Sequence, residues 1–196
     1  MFYIQDRKNF DVKIQAPFVM ATIRALRSSI FKSTPEIQRA LAIAAPLERK
    51  YDLSRTDLFL PALESSYAIL EPLSKTMLTG TIRRVGYELF SQVVAIAGIP
   101  PANVKTAMGI KDGADIIRTI CNNYSQVVIG PDAGALTPTA TDNRVTVTDT
   151  TWCPCQLQMG VFLGGGQMTG LFRDTAVVEK RCRSKGDTVC TYEFTL

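Results

Sequence analysis

The sequence predicts an α+β chain, helical through its first half, mixed in its second, and closed by a C-terminal β-hairpin. Three observations carry this. Apolar residues repeat at helical spacing through the first 120 or so positions, Arg144-Val145-Thr146-Val147-Thr148 then alternates as a half-buried strand does, and a tight polar turn at 184–187 separates two strand-like runs at the end.

The elements follow in order. Pro17 opens a helical segment marked by Val19, Ile23, Leu26 and Ile30. A second helix starts at Ser33-Thr34-Pro35-Glu36, a hydroxyl cap before a proline in the first turn, and Pro46 is expected to interrupt or end it. Ser54-Arg55-Thr56-Asp57 reads as the start of a third helix running toward Pro72. Leu78, Ile82, Val85, Leu89, Val93 and Ile96 mark the clearest helix, stopped by Gly98 and the Pro100-Pro101 pair. Residues 112–124 form another, capped by Asp112, with Ile116, Ile117 and Ile120 on one side. Gln126 to Ile129 is a short β-branched run, and Gly134 to Asn143 reads as a long polar loop. Residues 156–172 return to helix despite Gly164-Gly165-Gly166, a composition that requires close packing against the backbone. Thr175 to Arg183 and Thr188 to Phe194 are the arms of the final hairpin.

Composition narrows the function. The chain has 196 residues, 46% hydrophobic and 20% charged, enough to bury a core without disulfides. A formal charge of +4 from scattered basic residues is weak support for nucleic-acid binding, and none is expected. Asp6, Arg7 and Lys8 stand where a signal peptide needs apolar residues, and no window reaches the length of a membrane span, so the expected location is cytoplasmic. Histidine is absent, which removes serine–histidine and cysteine–histidine catalysis, imidazole ligation of haem and every zinc site built on histidine. Asp112, Asp115 and Glu88 form no acid–base pair, and no activated nucleophile is recognisable, so no catalytic residues are assigned.

Chemistry concentrates in the stretch VEKRCRSKGDTVCTYEF, residues 178–194. Of five cysteines, at 121, 153, 155, 182 and 190, four fall in the last 44 residues. Three readings compete. A disulfide framework suits secreted chains. A reactive thiol at Cys182 is favoured by Lys180, Arg181, Arg183 and Lys185, whose charges stabilise a thiolate, although such residues are also what a solvated strand face carries. A metal site is the third: Cys182 and Cys190 flank a turn as paired ligands of a zinc knuckle do, with a further thiolate available from Cys155 or Cys153. Glu179 would join them only if a bulge or helical turn near Arg181 rotated the chain, because residues three apart in a regular strand face opposite ways. Thiolate softness favours zinc over magnesium or calcium, with iron an alternative.

The run RVGYELFSQ at 84–92, Cys155 with Gly160 five positions on, and the ending Glu179, Cys182, Cys190 resemble the 4-vinyl reductase domain family. The resemblance covers roughly residues 76–196, leaving 1–75 as an N-terminal helical extension for dimerisation or packing. It implies an antiparallel β-sheet packed against a layer of α-helices, shared with small subunits of the transport-protein particle and often dimeric through the helices. It also implies a structural zinc held by Cys155, Glu179, Cys182 and Cys190, with Cys153 a spare thiol, and a pocket for small, largely apolar molecules between helices and sheet. The family's phenol sensors anchor their ligand's hydroxyl with a histidine, which this chain lacks, so phenol is not the expected ligand.

The expected function is therefore binding or sensing of an apolar, hydrocarbon-like molecule, probed by a homodimer or a protein effector. The alternatives are an accessory, chaperone or reductase role toward a tetrapyrrole or bilin-type pigment, a thiol redox sensor, and a structural adaptor. Tyr87, Trp152, Met159 and Phe162 are the candidate pocket residues, although a lone tryptophan beside a metal site often simply packs into the core and a helical tyrosine often reaches only the surface.

Overall fold

The computed structural model describes residues 4, 7–28, 32–75, 79–141, 143–172 and 177–196. A short strand, β1 (Lys13–Gln15), leads into α1 (Ala16–Ser28), followed by α2 (Pro35–Lys50), β2 (Phe59–Pro61), α3 (Ser66–Lys75) and α4 (Thr79–Ile96). The one-turn α5 (Val104–Ala107) precedes α6 (Gly113–Val127), which continues directly into β3 (Val128–Ile129). The second half supplies β4 (Leu136–Thr141), β5 (Arg144–Asp149), α7 (Cys155–Thr169), β6 (Val177–Arg181) and β7 (Cys190–Thr195).

The strands form two antiparallel sheets, a small one in the order β2-β1-β3 and a larger one in the order β4-β5-β7-β6. Helices cover the larger sheet, and β6 and β7 form its C-terminal hairpin, so the architecture is α+β as the residue patterns predict. The inward phase of the sheet is set by alternation: Val145, Val147 and Asp149 on β5 and Cys190, Tyr192 and Phe194 on β7 are buried. Residues 13–14 pair with 128–129, and one hydrophobic cluster runs from Val12 to Phe194, so the elements before and after residue 75 share both a sheet and a core. No described helix is long and apolar enough to cross a membrane.

α7 is the hub. Its buried residues surround the whole helix, as expected for a central helix rather than an amphipathic surface one. Phe162 meets the rings of Tyr192 and Phe194 on the sheet at centroid distances of 6.2 and 5.1 Å. On its other side α7 lies backbone to backbone against α4. A Cβ on Gly160 would collide with the Arg83 carbonyl oxygen and lie 2.9 Å from the Tyr87 nitrogen, one on Gly164 with the Tyr87 carbonyl oxygen, and one on Gly86 with the Leu157 carbonyl oxygen. The glycine-rich composition is thus the condition for this crossing.

Several expected elements differ. No helix starts at Ser54: the Asp52 side chain accepts hydrogen bonds from both the Ser54 amide (3.1 Å) and its hydroxyl (2.6 Å), closing a turn, and Phe59–Pro61 pairs with β1. The third helix begins only at Ser66, and Pro72 lies inside it. Pro46 does not end α2; it is solvent-exposed, as is Ala42, whose carbonyl loses its amide donor and is open to solvent. The segment expected to be a polar loop at 134–143 contains β4, an edge strand whose Pro138 and threonines suit a partly solvated ladder. Strand β3 is limited to its last two residues because α6 extends to Val127, and β1 is too short for periodicity to reveal. Asp112 caps α6 as expected, accepting the Asp115 amide at 2.8 Å. Ile30, Leu78 and Thr175 lie outside the described residues.

The α4–α7 crossing makes a direct prediction. Gly160→Ala must push two backbones apart and should lower unfolding free energy by at least about 2 kcal/mol in chemical denaturation. Gly80→Ala, which meets nothing within 4 Å, should leave it unchanged or raise it by about 0.5–1 kcal/mol.

Candidate functional site

The sheet, the hairpin turn and the start of α7 bring three thiols together. Cys190 opens β7, directly opposite Asp149 on β5. Cys155 is the first residue of α7, where helix amides favour a thiolate. Cys182 follows a β-bulge: Glu179 pairs with Tyr192 and Arg181 with Thr191, so two residues of β6 oppose one of β7. This is the rotation that Glu179 and Cys182 need to share a side of the hairpin. The turn is then fixed by the Cys182 amide donating to Asp187 Oδ2 (2.8 Å), the Lys185 amide donating to the Cys182 carbonyl (2.8 Å), and Gly186 at φ 98°.

The sulfurs of Cys155, Cys182 and Cys190 are all buried and lie within 4.8 Å of one another. Cys155 Sγ and Cys182 Sγ are 3.0 Å apart, and Cys190 Sγ and Cys182 Sγ 4.0 Å. Tetrahedral zinc with Zn–S bonds of about 2.3 Å separates sulfurs by about 3.8 Å, so small adjustments of these side chains suffice. Glu179, the fourth expected ligand, is not part of this group: its carboxylate oxygens do not lie within 4.8 Å of all three sulfurs. Its Oε2 accepts from Gln156 and Lys185, each at 3.4 Å, while its buried Oε1 has no hydrogen-bond partner among the described residues. A buried carboxylate oxygen left in this state is costly unless a further group meets it.

Electrostatics support anionic sulfur here. The Cys190 thiol is held well below its usual range, first by the hydrogen bond from Cys155 and then by the Arg183 amide, 3.4 Å from Cys190 Sγ, and the Arg183 charge. Cys153 is separate. Burial, reinforced by the charge of Asp149, pushes its thiol far up, and burial likewise pushes Cys121 up to about 12. The open choice between Cys153 and Cys155 is thus a difference of place: Cys155 joins the thiol cluster, and Cys153 points to a cavity on the other side.

Behind the cluster is a polar network that sequence reasoning missed. Asp149, fully buried, accepts from the Tyr192 hydroxyl (2.8 Å) and the Thr151 amide (2.8 Å) and lies 3.6 Å from the Arg183 guanidinium, which also donates to the Thr151 carbonyl at 2.5 Å. Tyr192 donates as well to the Cys155 carbonyl (3.2 Å), tying the sheet to the start of α7. The available signal was an aspartate in phase with Val145 and Val147 on an apolar strand face.

An apolar cavity of about 240 Å³ opens among the helices, lined by Phe18 of α1, Leu89 and Phe90 of α4, Ile120 and Tyr124 of α6, and Val161 of α7, with Gln158 among its few polar members. A notch of about 20 Å³ adjoins it, sharing Phe18, Leu89, Tyr124, Gln158 and Val161 and adding Ser66, Trp152 and Cys153. Of the expected pocket residues, Trp152 lines the notch, edge-on to Phe10 at 5.9 Å. Tyr87, Met159 and Phe162 line neither space. Tyr87 carries the Arg84 guanidinium 4.6 Å from its ring centroid, Met159 is buried, and Phe162 packs on the sheet. Phe18 and Tyr124 were missed because they lie on elements far apart in sequence that only the fold brings together.

No protein-family model matches the chain, and no curated protein matches it. Solved structures do. An H-NOX protein from S. oneidensis in the Fe(II) ligation state superimposes with a TM-score of 0.51 at 12% identity, covering 90% of this chain and 95% of that one. The Shewanella oneidensis H-NOX domain in the Fe(II)CO state gives 0.53 at 12% identity, covering 90% and 97%. A structure that probes heme distortion in the H-NOX family gives 0.58 at 9% identity, covering 93% and 95%. At such identities the likeness is one of fold.

Asp149 makes the site pH-sensitive. Burial raises its pKa from 3.8 to about 6 despite hydrogen bonds from Thr151 and Tyr192. Between about pH 4 and pH 6 the folded chain keeps a proton that the unfolded chain has released, so this group's contribution lowers stability as pH rises through the window and is constant above it. Urea midpoints of chelator-treated protein should show that contribution as the difference between wild type and Asp149→Asn, in which it is absent.

Proposed function

We propose that this chain is a sensor domain for a small apolar molecule, with its C-terminal hairpin pinned by a structural zinc on Cys155, Glu179, Cys182 and Cys190. The observation that carries the ligand reading is the cavity of about 240 Å³ bounded by α1, α4, α6 and α7, close to the lower end of ordinary ligand pockets at about 300 Å³. Its lining includes no charged residue, which suits an uncharged guest.

The metal reading rests on the buried thiol triad and the orphaned oxygen of Glu179. Three thiolates and a carboxylate close a tetrahedral site, leaving no position for substrate, so the ion would supply folding energy rather than catalysis. Arg183 and Lys185 offset the excess negative charge of such a donor set. Occupancy of the cavity and order at the metal centre meet on one element: Gln158 and Val161 of α7 line the cavity, and Cys155 starts the same helix. A ligand that shifts α7 would therefore bias the hairpin, to be read by a partner protein or across a dimer.

The H-NOX structures are described with heme and Fe(II), and this cavity does not fit that group. The sequence has no histidine, no thiol or cation lines the larger cavity, its one sulfur is the weak thioether donor of Met108, which ligates heme in partnership with a histidine, and burial keeps the Tyr124 hydroxyl neutral while it donates to the Ala133 carbonyl at 2.7 Å. The same lining gives no support to a tetrapyrrole with acidic side chains. A thiol redox sensor is the second reading, favoured by the 3.0 Å separation of Cys155 and Cys182 sulfurs.

Elemental analysis separates the two readings. Protein purified with zinc available should carry about one equivalent, Cys182→Ser and Cys190→Ser should each retain less than about a tenth and melt at lower temperature, and Cys153→Ser should keep the full equivalent. Wild-type protein with less than half an equivalent of any metal, and with Cys155 and Cys182 joined by mild oxidant, would replace the zinc reading with the redox one.

A further inference from the structure

We infer that the notch beside the apolar cavity receives the single neutral polar group of the ligand, so that the ligand class is a small uncharged molecule, apolar except for one hydroxyl or carbonyl. This rests on the small-molecule reading above and specifies it.

The two spaces differ in character. The larger one is bounded mainly by aliphatic and aromatic side chains. The notch, at about 20 Å³, has room for one water-sized group, since roughly 10–15 Å³ suffices for a water. On its wall is Ser66, 3% exposed at the start of α3, whose Oγ has no hydrogen-bond partner among the described residues. The neighbouring serine shows the contrast, because Ser65 donates its hydroxyl to the Pro61 carbonyl at 2.7 Å. Serine and threonine hydroxyls on helices commonly satisfy themselves this way, as Thr22 does by donating to the Phe18 carbonyl at 3.0 Å. A buried hydroxyl left open costs free energy, and a ligand group that bonds it recovers that cost.

The remaining polar groups of the notch are occupied or weakly placed. Tyr124 donates to Ala133, and the Gln158 amide reaches Thr151 Oγ1 at only 3.4 Å. No lysine, arginine, aspartate or glutamate lines either space, so a carboxylate or an ammonium would lose its hydration without a counter-charge. Ser66 both donates and accepts, which admits a hydroxyl or a carbonyl.

Trp152, the only tryptophan, lines the notch and reports on it directly. Its fluorescence, checked by calorimetry, should follow titration with four ring compounds of similar size: methylcyclohexane, cyclohexanol, cyclohexanecarboxylate and cyclohexylammonium. Cyclohexanol should bind at least about 100-fold more tightly than either charged compound. Ser66→Ala should weaken cyclohexanol about fivefold and leave methylcyclohexane unchanged or tighter. Charged compounds binding within tenfold of cyclohexanol would overturn the inference, as would equal effects of Ser66→Ala on alcohol and hydrocarbon. Should that variant not fold, the ranking by charge in wild-type protein decides. If none of the four binds, the small-molecule reading itself fails; if the neutral pair binds without dependence on Ser66, only the assignment of the notch does.

Discussion

The backbone contact between α4 and α7 is the constraint on which the rest depends. Gly86 on one helix and Gly160 and Gly164 on the other let the chains approach to a distance that no side chain permits. The contact fixes α7 in the middle of the molecule, with its aromatic side on the four-stranded sheet and its first residue at the hairpin. The same placement leaves the space between α1, α4 and α6 that becomes the cavity. Dispersion across such a contact is strong because many atoms touch, and it is brittle because backbone cannot yield as a flexible side chain does.

Opposite this apolar contact, the molecule buries a polar network that is costly to assemble. A fully buried aspartate, a largely buried arginine and a tyrosine hydroxyl converge beside three thiols. Replacement by hydrocarbon is often no loss of stability at such places, so the network is better understood as a device for geometry than as a source of free energy. Tyr192 bonds both Asp149 on β5 and the Cys155 carbonyl at the head of α7, and Arg183 bonds Thr151 after β5 while its own amide approaches Cys190. Sheet, turn and helix are thereby held in register at the thiol cluster. With a cation bound, the positive charge of Arg183 would also balance the anionic sulfurs, in the way outer-shell groups tune metal sites.

The cavity and the thiol cluster meet on the first half of one helix. In a sensor this matters, since a ligand changes a protein only through a difference in how it contacts two states. Gln158 and Val161 line the cavity, and Cys155 stands one turn earlier at the start of α7. The chain shares its fold with H-NOX structures at 12% identity, and a fold by itself does not fix function. Here the lining of the cavity is uncharged and free of histidine.

The sequence by itself determined the fold class, most helix positions and the gathering of chemistry near the C-terminus, because periodicity, capping and turn residues act over a few positions. For Glu179 to join the cysteines the residues called for a bulge or a helical turn near Arg181, and β6 contains a bulge there. Local signals misled at Ser54, whose hydroxyl serves a turn, and at Pro46 and Pro72, which surrounding helix tolerates. Gly86, within the run at 84–92, and Gly160 have a physical role in the helix crossing. Only the tertiary structure decided which cysteines meet, that Asp149 is interior, and that the cavity belongs to Phe18, Leu89 and Tyr124 rather than to Tyr87, Met159 and Phe162. Those outcomes depend on contacts between segments tens of residues apart, where the packing of whole elements, and no local propensity, selects the neighbours.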